Sequence, residues 1–212
     1  MIHQFTFNHY EVNSYLVVDS ETRRCAIIDP AAEASYEDEQ LASYIASEGL
    51  TVDCILLTHA HVDHIAGLRQ CCEAYHLPVT MHHDGRLLLQ QAEAYGSVMG
   101  FAVDNMGDLE VVEVDDGDKL AVGDMEIECR HVPGHCPGSM CFVVPQDKAV
   151  LTGDALFHYS IGRTDLPGGD YPTLINRIKE RLLTLPDDYR VLPGHGMAST
   201  IGRERQYNPY LS

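Results

Sequence analysis

The chain has 212 residues, 45% of them hydrophobic and 22% charged. That is enough apolar material for one sizeable domain spanning residues 1–212 and too much for a disordered chain. A formal net charge of −18, from 32 acidic against 14 basic side chains, would repel nucleic acid, so a nuclease with a basic phosphate-binding face is not expected. No apolar run approaches the roughly 20 residues of a membrane-spanning helix, and MIHQFTFNHY at the N-terminus does not read as a secretion signal. The seven cysteines form no CxxC pair or evident disulfide framework, which points to reduced thiols in a cytoplasm.

In chain order, apolar strand-like runs come first: NSYLVVD at 13–19, CAIIDP at 25–30 and VDCILL at 52–57, with a polar helical stretch from Tyr36 to Glu48 between the last two. Helices are expected at Ile65 to Tyr75 and Arg86 to Tyr95, flanking a short strand at Val79 to Met81. From Leu109 strands return as LEVVEV, KLAV, MEIECRHV, MCFVVP and AVLTGD, separated by DDGD and VGD turns. A helix from Thr173 to Leu183 and a strand RVLP complete the pattern. Two strand-rich halves, each with its own helices, suggest an α/β protein built as a four-layer αββα sandwich.

The strongest local signal is THAHVDH, from Thr58 to His64, directly after VDCILL. On a helix, residues two apart point to nearly opposite faces, so His59 and His61 can converge on one ion only from an extended loop. Asp63 and His64, at the start of the next helix, would turn toward a neighbouring ion. Three later segments each offer one more ligand in a turn: VPGHCPGS with His135, LTGDALF with Asp154, and VLPGHG with His195. Glycine beside each lets the backbone bend sharply near a metal. Five imidazoles and two carboxylates suffice for two divalent metal ions; zinc is the expected metal, and iron or manganese suits the same ligands. Arg163, in GRTD, can hold a substrate carboxylate through its planar fork or pair internally with Asp165 or Asp170.

These segments, in this order, resemble the metallo-β-lactamase superfamily and, within it, the glyoxalase II (hydroxyacylglutathione hydrolase) branch. IGRTDLPGGD after Asp154 and RERQYNPYL near the C-terminus resemble the short one-domain bacterial glyoxalase II-like proteins, and persulfide dioxygenases share much of both segments. The resemblance implies that His59, His61 and His135 bind one metal, that Asp63, His64 and His195 bind the other, and that Asp154 bridges them. It further implies hydrolysis of a small-molecule thioester such as S-lactoylglutathione, with Asp63 also orienting the nucleophile. A persulfide dioxygenase with a single iron on His59, His135 and Asp154 is the alternative enzyme; a metal-binding protein without catalysis is the alternative from another class.

Two departures stand out. Cys136 replaces the threonine usual in PGHTPGS, which would place a thiol beside the first metal, and the sequence ends soon after His195, without the added helical domain that holds glutathione in larger relatives. Loose binding of the glutathione portion is therefore expected. Cys136 is itself more simply a small buried hydrophobe than a reactive group. His3, His9, His76, His82, His83, His131 and His158 read as surface or satisfied core residues, with His158, just after Asp154, the best candidate among them for a place near the site.

Overall fold

The computed structural model describes residues 1–211. Six strands form the first sheet in the order β1-β2-β3-β4-β5-β6: β1 Ile2–Phe7, β2 Val12–Asp19, β3 Arg24–Ile28, β4 Thr51–Leu56, β5 Val79–Met81 and β6 Val111–Glu113. The first three pair antiparallel; β3 through β6 run parallel, and parallel neighbours need crossovers. Helix α1 (Ser35–Ser47), helix α2 (Leu68–Tyr75), and the pair α3 (Arg86–Gln90) and α4 (Ala92–Met99) lie in those connections.

The second sheet contains β7 Lys119–Val122, β8 Met125–His131, β9 Met140–Val144, β10 Ala149–Gly153, β13 Arg190–Pro193 and β14 Ser199–Thr200, in the order β14-β13-β10-β9-β8-β7. Between β10 and β13 come a two-strand hairpin, β11 Leu156–Phe157 with β12 Ser160–Ile161, and helix α5 (Tyr171–Arg177). Helix α6 (Ile201–Tyr207) follows β14.

Side-chain alternation sorts the apolar residues into three layers of core. On β2, Leu16 and Val18 point to the side of α1 and α2, where Leu41, Ile45, Leu68 and Cys72 meet them. Tyr15 and Val17, one residue out of phase, face the second sheet and pack with Ile127, Phe142, Val144 and Leu151. On β9, Cys141 and Val143 point outward instead, against Leu174, Ile178 and Ile201. Helix, sheet, sheet, helix is the arrangement that leaves neither face of either sheet wet, and it is the αββα architecture expected from the sequence.

Several details differ from the sequence expectation. The sequence carries no clear strand signal at β1, where IHQFTF is mostly half-exposed at the sheet edge. The helix expected over Arg86 to Tyr95 breaks at Gln91 (φ −95°, ψ 3°) into α3 and α4, which lets Leu89 and Ala92 both reach the core. The helix expected from Thr173 begins at Tyr171, with Asp170 capping the Thr173 amide at 2.9 Å, and widens into a π-helical turn over Ile178–Leu182. Leu174, Ile178 and Leu182 still form one buried stripe.

Candidate metal centre

The loops after β4, β10 and β13 and the link from β8 to β9 converge at one end of the sandwich. Strands β10 and β13 are parallel, with Gly153 opposite Pro193, so the residues that follow them, Asp154 and His195, emerge side by side. Asp29, just past β3, organises the β4 loop. Its backbone takes the left-handed conformation (φ 50°), an uncommon one for a non-glycine residue and one enriched at functional sites. Its carboxylate accepts from the Thr58 amide at 2.7 Å, the Thr58 hydroxyl at 2.5 Å and His64 Nδ1–H at 2.9 Å. Gly153 (φ +47°) leaves room for Thr58, and a Cβ on Gly194 would run into the Asp154 carboxylate and come 2.6 Å from His64 Cε1.

Hydrogen bonds on the outer nitrogens set the direction of three imidazoles. With its Nδ1 proton on Asp29, His64 turns Nε2 inward, 3.3 Å from Asp154 Oδ1 and 3.8 Å from Asp63 Oδ2. His135 donates Nδ1–H to the Arg163 carbonyl at 2.8 Å, leaving Nε2 2.9 Å from His61 Nδ1. His195 donates Nδ1–H to the Tyr10 carbonyl at 3.0 Å, and its Nε2 lies 3.3 Å from Asp63 Oδ2 and 3.7 Å from Asp154 Oδ2. Asp154 Oδ2 is also 3.7 Å from His135 Nε2. The structure thus brings together all seven side chains singled out in the sequence: donor atoms of His59, His61 and His135 lie within 4.8 Å of one another, as do those of Asp63, His64 and His195, with Asp154 between the two groups.

These residues fit divalent cations. His59 Nε2, His64 Nε2 and Asp154 Oδ1 are buried without a hydrogen-bond partner, an unfavourable state for polar atoms unless a bound group satisfies them. Burial, then the neighbouring imidazoles, hold His59 far below the usual histidine range; burial also lowers His135 and takes His61 to about 4. For His64 burial acts downward too, but Asp154 and Asp63, with the Asp29 hydrogen bond, outweigh it and raise the group well above its usual range. Asp154 is held below the ordinary carboxylate range despite its burial, because His64, His135 and His195 surround it. His59, His61 and His135 are thus neutral beside ionised Asp63 and Asp154, whereas His64 and, against the downward pull of its burial, His195 are raised by those carboxylates; ions bound there would take the place of these protons, since a ligating imidazole must be neutral.

Residues far from the ligands in sequence brace the loops. The Asn13 side-chain amide donates to the carbonyls of Pro193 at 3.0 Å and Gly196 at 2.9 Å, the Tyr15 hydroxyl donates to Pro193 at 2.7 Å, and the Asn8 amide donates to the Asp63 carbonyl at 2.8 Å. None of these, nor Asp29, was singled out in the sequence. Asp29 alone carried a signal, as a carboxylate at the carboxyl end of an apolar strand.

The Cys136 thiol lies with the His59, His61 and His135 donors, within the same 4.8 Å, and is fully buried 3.2 Å from the Ser139 hydroxyl. Burial pushes it up to about 12. Arg163 lines the cavity above the site while its guanidinium makes two 2.8 Å hydrogen bonds to Asp165; Asp170 is engaged in capping α5. His158 packs at a tilt against Tyr159 and does not line the cavity. His82 stacks on His131 with ring centroids 3.9 Å apart, and His9 pairs with Glu33.

A cavity of about 510 Å³ opens over the site, with His61, Asp63, His135, Asp154 and His195 at its floor. Among the described residues, no helix is long and apolar enough to cross a membrane.

Residues 8–195 match the metallo-β-lactamase superfamily. A probable metallo-hydrolase of Bacillus subtilis is 38% identical over 95% of this chain and 93% of its own length, and the hydroxyacylglutathione hydrolase GloC of Haemophilus influenzae is 35% identical over 96% and 94%. Among solved structures, the B3 metallo-β-lactamase BLEG-1 superposes with a TM-score of 0.90 at 31% identity, covering 100% of both chains. A protein solved in a di-iron-bound form, TTHA1623, gives 0.88 at 37% over 99% of this chain and 100% of its own. ETHE1 of Myxococcus xanthus gives 0.79 at 27% over 99% and 83%. Motif order, the paired sheets and these full-length likenesses agree: the chain belongs to the metallo-β-lactamase superfamily.

Proposed function

We propose that the protein is a metal-dependent thioesterase that hydrolyses small acyl thioesters such as S-lactoylglutathione. The observation that carries this reading is the convergence of seven ligand-type side chains, three of them with buried unpartnered donor atoms, at the floor of an open cavity. The likeness to a relative named as a hydroxyacylglutathione hydrolase supports it. His59 Nε2, His61 Nδ1 and His135 Nε2 would hold one divalent ion, and Asp63, His64 Nε2 and His195 Nε2 the other, with Asp154 offering an oxygen to each. Zinc suits these ligands and is the proposed metal; iron and manganese suit them as well. Ions bound there would polarise the thioester carbonyl and acidify a water, so that hydroxide is available near neutral pH.

The chain's own groups do the rest. Asp63, ionised and facing the cavity, can accept a hydrogen bond from the attacking water and orient it toward the carbonyl carbon. His135 and His195 are held rigid by the Arg163 and Tyr10 carbonyls, so the ligand geometry is set before substrate arrives. No side-chain nucleophile is needed, and burial keeps the Cys136 thiol protonated. Arg163, at the cavity wall, can steady a substrate carboxylate.

Metal analysis of the purified protein, run beside assays for thioester cleavage and for oxygen uptake with glutathione persulfide, tests the proposal. Two metals per chain with thioester cleavage are expected. A single tightly held iron, oxygen uptake and no thioester cleavage would overturn it in favour of a persulfide dioxygenase.

A further inference from the structure

The walls of the cavity differ from its floor. Leu88 of α3 and Tyr95 and Met99 of α4 form one side, Tyr10 another, and Leu166 and Pro167 a third. Tyr10, Tyr95 and Met99 are 41%, 40% and 36% exposed. Single exposed apolar side chains are ordinary, but several converging on one cavity mark a binding surface.

The wall is also held in place. Helix α4 is anchored on its inner face by the buried Ala92 and by Gly96, where a Cβ would run into Val103. Tyr95 and Met99, one turn apart, therefore share the face toward the cavity. The Tyr10 ring packs against Phe101 at 5.3 Å and His9 at 4.8 Å, so that side is preorganised too. Arg163 is the only cation among the lining residues, and Asp165 already engages it. Outside the candidate metal centre the other lining side chains carry no positive charge, and only the Tyr10 and Tyr95 hydroxyls could donate to the two carboxylates of a glutathione tripeptide. Ala60 and Val62, between the metal-ligand candidates of the β4 loop, also line the cavity, so the apolar surface begins at the floor, where the reacting carbonyl would sit.

We infer that these walls form an acyl subsite that takes an uncharged aliphatic or aromatic chain and selects substrates by that chain more than by the thiol. This rests on the thioesterase reading and narrows its substrate class. A chain leaving water for such a wall gains affinity with each methylene buried, whereas a charged acyl group would give up its hydration against Leu88, Met99, Leu166 and Pro167 without a partner charge.

The test uses the metal-loaded protein and a matched series of glutathione thioesters with acetyl, butanoyl, hexanoyl and phenylacetyl groups, together with non-cleavable analogues in which methylene replaces the thioester sulfur. The expected result is a rise in kcat/KM of about two- to fourfold per methylene up to the length that fills the cavity, matched by tighter calorimetric binding of the longer analogues. In Tyr95→Ala/Met99→Ala, with metal content and melting temperature checked, the hexanoyl-to-acetyl ratio should collapse toward one. Equal rates across the acyl series, or a preference that follows the thiol when the acyl group is fixed, would overturn the subsite and leave the thioesterase standing. Tighter binding of the longer analogues with no cleavage of any thioester would uphold the subsite and overturn the thioesterase.

Discussion

Asp29 makes no contact with substrate in this scheme, yet Asp29→Asn is expected to weaken metal binding severely. The wild-type carboxylate accepts three hydrogen bonds, two from Thr58 and one from His64 Nδ1–H. In the asparagine variant the remaining oxygen can still accept from the Thr58 amide. The new amide group, a donor, faces the Thr58 hydroxyl and His64 Nδ1. The hydroxyl can rotate and accept; His64 can accept at Nδ1 only by moving its proton to Nε2, the atom now turned toward Asp63 and Asp154. Metal binding must then reverse that tautomer against an opposing donor. Outer partners of this kind are worth roughly 10–100-fold in metal affinity, or about 1.4–2.7 kcal/mol. Asp29→Ala adds a second cost, since buried donors left unpaired destabilise the fold by about 1–3 kcal/mol each. Competition against a chelator measures the affinity, and thermal melts of the metal-free proteins measure the fold. The asparagine variant should lose affinity with little loss of stability, and the alanine variant should lose both. A folded Asp29→Asn protein that keeps its metal affinity within about twofold would refute the tautomer reasoning.

The remaining expectations are more local. Asp154→Ala should deplete both metal positions together, because its Oδ1 lies by His64 and its Oδ2 lies 3.7 Å from both His135 and His195; elemental analysis showing one position still full would contradict a bridging role. Cys136→Thr should keep turnover within about tenfold, equivalent to 1.4 kcal/mol in the barrier, and a larger loss with metal content intact would give the thiol a part in the reaction. Arg163→Ala should raise KM for anionic thioesters more than for neutral ones, and equal effects in steady-state kinetics would assign the guanidinium to Asp165 alone. Phe142→Ala, which empties the space between the two sheets, should cost about 3–5 kcal/mol of stability in denaturant melts.

The layers were legible because period-two alternation and glycine-marked turns are written in contiguous residues. The ligands were legible because THAHVDH packs four of them into seven positions, and each later ligand sits in a glycine-bearing turn. What could not be read was cooperation at a distance. Asp29 looks like the end of a strand until Thr58 and His64 fold against it. Asn13 and Tyr10 gain their meaning only from a loop that begins at Pro193. The break at Gln91 answers to tertiary packing, since it lets Leu89 and Ala92 both turn into the core. The apolar wall was invisible for a related reason: Tyr10, Leu88, Tyr95, Met99 and Leu166 come from three separate stretches of chain.

The bond from His195 to Tyr10, reinforced by Asn13 on Pro193 and Gly196, also orders events on the ribosome. Domains form as their segments emerge, amino end first, at about 5–20 residues per second. The His59, His61 and His135 donors are all available long before His195 leaves the exit tunnel, whereas the Asp63 and His64 position must wait for it. Tyr10 and Asn13 are made some 180 residues before the loop they brace and must wait for it. A nascent chain is therefore expected to complete its first ion position before its second, so that limited metal supply would leave molecules loaded on one side alone.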